Sequence, residues 1–80
     1  MTAHPRELPL LPATPVKSSN IRALAYSEAT KHLQVTFHSG DTYDYLDVPP
    51  AAYRAFNEAK SKGKFLSEAI RPRFRSFKRA

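Results

Sequence analysis

The feature that most constrains the fold of this chain is a stretch in which apolar or aromatic residues occupy every second position on both sides of one glycine. Leu33, Val35 and Phe37 occupy every second position. After Gly40, two tyrosines repeat the same spacing. Residues two apart in a β-strand share one face of the sheet, and two such runs separated by a short glycine-containing segment are typical of a β-hairpin. The stretch therefore predicts two antiparallel strands joined by a tight turn.

A two-residue turn at 39–40 is one way to connect these strands. It pairs Thr36 with Tyr43 and places Tyr43 and Tyr45 on the face opposite the apolar residues of the preceding strand. Aromatic rings on an open sheet face can stack on nucleic-acid bases. Such a turn requires positive φ at both of its residues, which suits serine poorly.

A three-residue turn over 38–40 is the connection that we favour, because it confines the left-handed conformation to the glycine. It pairs Val35 with Tyr43, and Tyr45 then lies on the same core-facing side. The residue between the tyrosines, Asp44, is expected to face water. On that interpretation, replacing Asp44 with alanine should hardly change stability, as is usual for surface positions.

The apolar spacing that follows two prolines predicts a helix over 50–62. Proline suits the first helical turn, and Ala52 and Phe56 share one helical face. Gly63 is positioned to end this helix in a left-handed cap. A second, shorter helix is predicted over 65–70.

These elements together predict an α+β fold. An extended segment over 21–26 precedes the two strands of the hairpin, which cover 31–38 and 41–46. We expect a three-stranded antiparallel β-meander followed by two short helices packed on one sheet face, because such a sheet needs covering to be stable.

Composition divides the chain into three parts. Residues 1–15 contain four of the seven prolines, and since proline is excluded from helix interiors and central strands, we predict a flexible N-terminal arm there. Residues 16–77 form one small domain, and residues 78–80 form a basic tail. The chain has no cysteine, so this domain must fold without disulfides or thiolate metal sites.

Positive charge is concentrated toward the C-terminal end. The net charge is +6, and residues 60–80 carry eight cations against Glu68 as the one carboxylate. Such an asymmetry favours an anionic partner, with nucleic acid first and an acidic protein second.

Several motifs resemble a known family when they are read in order. They are Ser18-Ser19-Asn20-Ile21, Gly40-x-x-Tyr43-x-Tyr45 and Ala59-x-Ser61-x-Gly63-x-Phe65. Together they resemble the KTSC domain, a short bacterial module that occurs at the C-terminus of some lysyl-transfer-RNA synthetases and as a stand-alone protein. The resemblance covers residues 16–77. It implies a small folded domain, and RNA binding is suggested for the family.

Enzymatic and metal sites are not indicated. His38, Ser39 and Asp41 contain the residue types of a hydrolytic triad, but neighbouring positions on one turn do not align nucleophile, base and orienting carboxylate. Three scattered histidines without cysteine do not make a zinc site. We therefore expect a protein without catalytic activity, cofactor or metal.

The resulting hypothesis is a non-enzymatic nucleic-acid-binding module that prefers RNA to DNA. The predicted contacts are Lys62, Lys64, Arg71, Arg73 and Arg75 on phosphates, flanked by Tyr43 and Tyr45. The alternatives are a protein-interaction or scaffold module and a basic tail that only favours solubility. Convergence of the cations on one face would favour nucleic acid.

The chain is expected to be cytoplasmic and not to bind membranes. No apolar run approaches the length of a membrane span. Residues 1–15 lack the basic start and apolar core of a secretory signal. The absence of cysteine also fits a reducing compartment.

Overall fold

The computed structural model describes residues 11–79, which form one antiparallel sheet with helical segments packed on one face. The elements in chain order are β1 (Thr14–Pro15), β2 (Ile21–Ser27), β3 (His32–Phe37), β4 (Thr42–Tyr45), α1 (Pro50–Glu58), α2 (Lys62–Phe65), a π-helical turn (Leu66–Ile70) that continues α2, and β5 (Ser76–Arg79). Within 11–79, no helix is long and apolar enough to cross a bilayer.

The α+β class is confirmed, but the predicted three-stranded meander has too few strands. The sheet has five, in the order β1-β2-β3-β4-β5. The added strands lie at its two edges. Pro15 is tolerated in β1 because an edge strand need not donate every backbone N–H. β5 has the sequence Ser76-Phe77-Lys78-Arg79, so Lys78 and Arg79, which the sequence assigned to a basic tail, are part of the sheet.

The favoured register of the hairpin is confirmed. Val35 pairs with Tyr43, and Leu33 pairs with Tyr45. Gly40 has a φ of 99°, and its N–H donates to the Phe37 carbonyl over 2.9 Å. The turn therefore places both tyrosines on the face that carries the apolar residues of β3.

The core lies between this face and the helical segments. The sheet and the connection to α1 contribute Ile21, Leu24, Leu33, Val35, Tyr45 and Val48, and the helical segments contribute Phe56, Leu66 and Ile70. Each of these residues is at most 2% exposed. Full burial of a large apolar side chain stabilises a fold by about 1.5–3 kcal/mol, so this cluster supplies the main driving force for folding.

The opposite face carries a buried polar cluster around Asp44, which is 1% exposed. His32 Nε2 lies 2.6 Å from Asp44 Oδ1. Gln34 Nε2 and Arg79 Nη2 donate to the same oxygen over 3.0 and 3.1 Å. The expectation that Asp44 faces water is therefore wrong, because β3 and β5 place hydrogen-bond donors beside it on that face.

The prediction that Gly63 ends the first helix is also wrong. α1 ends at Glu58, since Ala59 is extended with a ψ of 138°. Gly63 lies inside α2 and has no positive φ. A new helix begins there because Ser61 Oγ accepts a hydrogen bond from the Lys64 N–H over 3.4 Å, as an N-cap does.

The polar cluster generates a first prediction. Asp44→Ala should lower the free energy of unfolding by about 1–3 kcal/mol, because the buried donors of His32 and Gln34 lose their acceptor. Urea unfolding followed by circular dichroism measures this change. Asp41→Ala is the matched control, since its ion pair with Lys78 is 3.7 Å long and exposed, and such pairs contribute about 0–1 kcal/mol. Equal stability of the two variants would contradict the assignment.

The turn generates a second prediction. Gly40→Ala should destabilise the fold by about 1–2 kcal/mol, because a side chain raises the energy of left-handed backbone. A Cβ at this position would meet no atom within 4 Å, so the backbone alone causes the loss. Thermal unfolding measures it, with the neighbouring Ser39→Ala as the control expected to stay near wild type. An unchanged melting temperature in Gly40→Ala would show that the turn does not require the glycine.

Candidate nucleic-acid interface

The loop before β2 is held in place by its own hydrogen bonds and by the β3–β4 turn. Ser18 Oγ accepts hydrogen bonds from the N–H groups of Asn20 and Ile21, each over 3.3 Å. His38 Nε2 lies 2.9 Å from the Ser18 carbonyl oxygen, and the His38 N–H donates to the Asn20 carbonyl over 2.9 Å. These bonds fix the Ser-Ser-Asn segment against the end of the sheet.

The start of α2 and the residues just before it approach this loop closely. A Cβ added to Gly63 would lie 3.2 Å from Asn20 Nδ2, so glycine permits the two segments to meet here. Lys62 Nζ donates to the Ala59 carbonyl over 3.1 Å. Because an ammonium group has three donors, this bond positions the Lys62 side chain and leaves it able to bind an anion.

A cavity of about 220 Å³ lies between these two segments. We call it the lysine cavity, and it is lined by Lys17, Ser18, Ser19, Asn20, Lys60, Ser61, Lys62, Gly63 and Lys64. No carboxylate of residues 11–79 lines it. Four cations around one cleft create a positive potential that attracts anions.

A second cavity, of about 410 Å³, adjoins the first. We call it the aromatic cavity, and it is lined by Ser19, Asn20, Phe37, His38, Ser39, Asp41, Tyr43 and Arg71. The Phe37 and Tyr43 rings meet edge to face with their centroids 5.7 Å apart. The two cavities share Ser19 and Asn20 and form one continuous surface.

The structure brings part of the predicted site together. The predicted residues that line the two cavities are Lys62, Lys64, Arg71 and Tyr43. Arg73 and Arg75 are exposed but line neither cavity. Sequence reasoning missed Lys17 and Lys60, because nothing in their local sequence shows that the two segments meet.

Tyr45 does not belong to the surface, which corrects its assignment as a base-contacting residue. It is 1% exposed, because the register sets it opposite Leu33 beneath the helical segments. Burial raises the pKa of the Tyr45 hydroxyl, while the nearby Arg71 guanidinium partly opposes this rise. Tyr45 therefore supports the core below the aromatic cavity and is not available to bases.

The remaining cations near the C-terminal end have acidic partners. Lys78 Nζ lies 3.7 Å from Asp41 Oδ1, and Arg79 pairs with the buried Asp44 on the other face. Within residues 11–79, the four lysines of the lysine cavity form no ion pair, so their charges are available to an anionic ligand.

The fold is that of a small α+β domain, and comparison with known proteins identifies its family. Residues 17–74 match the family model of the KTSC domain. The chain therefore belongs to the KTSC domain family, and the resemblance seen in the sequence motifs is confirmed.

Individual relatives agree with this assignment. A protein of Tsukamurella paurometabola is 40% identical over 62 residues, which cover 78% of this chain and 92% of that protein. A lysine–tRNA ligase of Nostoc punctiforme is 30% identical over 70 residues, but these cover 88% of this chain and 12% of the ligase. The crystal structure of a KTSC domain protein from Yersinia pestis has a TM-score of 0.83 at 34% identity, covering 89% of this chain and all of that one.

The buried tyrosine generates a third prediction, on pH dependence. Because burial raises the pKa of Tyr45, the unfolded chain loses this proton near the ordinary value of about 10 while the native state retains it. Stability should therefore be fully present below about pH 10 and fall as pH rises through the native pKa. Tyr45→Phe should show a smaller fall, measured by urea unfolding at neutral and alkaline pH. An identical alkaline loss in both proteins would contradict the contribution of Tyr45.

Proposed function

We propose that this chain is a non-enzymatic nucleic-acid-binding module that holds RNA, in preference to DNA, through phosphate contacts in the lysine cavity. The observation that carries the proposal is the convergence of four lysines on one cleft that no carboxylate of the described residues lines. Lysine ammonium groups bind phosphate as compact point charges. The cleft therefore matches a phosphate chemically.

Electrostatics also favours the lysine cavity over the cations at the C-terminal end as the place where phosphate binds. Four lysines line the cavity of about 220 Å³, and because like charges repel one another, a bound phosphate would relieve that repulsion. At the exposed edge the positive charge is partly offset, since Lys78 pairs with Asp41. We assign the short-range phosphate contacts to the cavity lysines. Arg73 and Arg75 act only through their longer-range potential, which salt screens.

The preference for RNA draws on the relatives. Lysine–tRNA ligases of Nostoc punctiforme, another Nostoc strain and Trichormus variabilis contain a segment that matches 88% of this chain, and their name places them in contact with transfer RNA. The half-buried rings of Phe37 and Tyr43 beside the cleft suit unpaired RNA bases, which stack on aromatic side chains. Binding to RNA would place the chain in the cytoplasm.

The proposal is tested by removing the cavity charges together. The variant Lys60→Gln/Lys62→Gln/Lys64→Gln should bind a short single-stranded RNA much more weakly, as measured by fluorescence anisotropy. Log K decreases with log salt, and the steepness of this decrease should be smaller by about 2 in the variant, because three phosphate contacts are lost at about 0.7 each. Circular dichroism should confirm that the variant is folded.

The matched control removes the same number of charges elsewhere. In Lys31→Gln/Arg73→Gln/Arg75→Gln, none of the altered residues lines either cavity, so most of the affinity and most of the salt slope should remain. Equal losses in the two variants would show that binding depends on net charge and not on the cavity. Binding to polyglutamate but not to RNA would favour the protein-interaction alternative instead.

A further inference from the structure

We infer that the aromatic cavity holds one unpaired base of a single-stranded RNA whose backbone phosphate lies in the lysine cavity. The inference rests on the proposed function and adds the form of RNA that is bound and the residues that contact its base. It starts from the observation that the helical segments do not cover the whole core-facing side of the sheet.

The helical segments cover only one end of that side. Leu33 and Val35 are completely buried and Tyr45 is 1% exposed. Toward the turn, Phe37 and Tyr43 are only partly buried. A ring that is packed on one side and open on the other is a rigid apolar platform, which is the property that base stacking requires.

The rim of the aromatic cavity supplies polar groups. Asn20, Asp41 and Arg71, which carry an amide, a carboxylate and a guanidinium group, all line it. They offer both donors and acceptors, and base edges present both as well. The volume of about 410 Å³ lies in the range of about 300–1,000 Å³ that is usual for small-molecule sites. A flat heterocycle with a polar edge fits these groups.

The junction of the cavities relates the base to its backbone. Both cavities are lined by Ser19 and Asn20, so a phosphate in one and a base in the other lie on either side of the same loop. A base in a duplex is stacked and paired, so its faces are not free to lie on the rings of Phe37 and Tyr43 unless the base is extruded. The arrangement therefore selects single strands over duplexes.

The rings also stabilise the fold, so the test must separate packing from binding. Tyr43→Leu removes the ring and keeps an apolar side chain, while Tyr43→Phe keeps the ring and serves as the matched control. For a single-stranded RNA of about six nucleotides, Tyr43→Leu should weaken binding about tenfold and Tyr43→Phe about twofold or less. Inorganic polyphosphate, which has no bases, should bind both variants as it binds the wild type.

A measurement on the wild-type chain keeps the test independent of variant stability. The Phe37 and Tyr43 rings stand at 87° to each other, so one base can stack on only one of them. In nuclear magnetic resonance titrations, the RNA should shift the protons of that ring upfield, and polyphosphate should shift only signals around the lysine cavity. RNA that perturbs the lysine cavity but leaves both rings unchanged would overturn the base pocket and leave the proposed function standing. If neither probe perturbs the lysine cavity, the proposed function itself fails.

Discussion

The pairing register between β3 and β4 is the constraint on which the rest of this structure depends. Left-handed backbone at Gly40 fixes it, and a slip by one residue would exchange the two faces of β4. In this register Tyr45 lies in the core and Tyr43 lines the aromatic cavity. On the other face, Asp44 meets donors from β3 and β5. The conformation of one turn therefore determines which residues of β4 face the core, the buried polar cluster and the aromatic cavity.

The candidate interface is built where segments far apart in sequence meet. The loop before β2 is tied to the β3–β4 turn by His38, and Gly63 lets the start of α2 approach Asn20. Neither segment forms the cleft alone, and together they line a space of about 220 Å³ with four lysines. The fold thus holds the four lysines near one another before a phosphate binds, which reduces the free-energy cost of assembling the site.

The sequence predicted what depends on local periodicity and turn chemistry. Alternation placed β3 and β4, and the preference for glycine at a positive φ placed Gly40 in the turn between them. Prediction failed where the environment of a side chain depends on residues that are distant in the sequence. Asp44 has the alternation of a solvent-facing residue, and only the donors of β3 and β5 make it a buried acceptor. Lys17 is likewise an ordinary surface lysine until the fold brings it beside α2.

Lysine acetylation footprinting of the wild-type chain, with and without single-stranded RNA, tests the central claim most directly. Lys17, Lys60, Lys62 and Lys64 line the lysine cavity, whereas Lys31 directly precedes β3, at the end of that strand away from the β3–β4 turn, and lines neither cavity. We predict strong protection of the cavity lysines by RNA and unchanged modification of Lys31. Protection of all lysines to the same extent, or of none, would contradict a phosphate site in the lysine cavity.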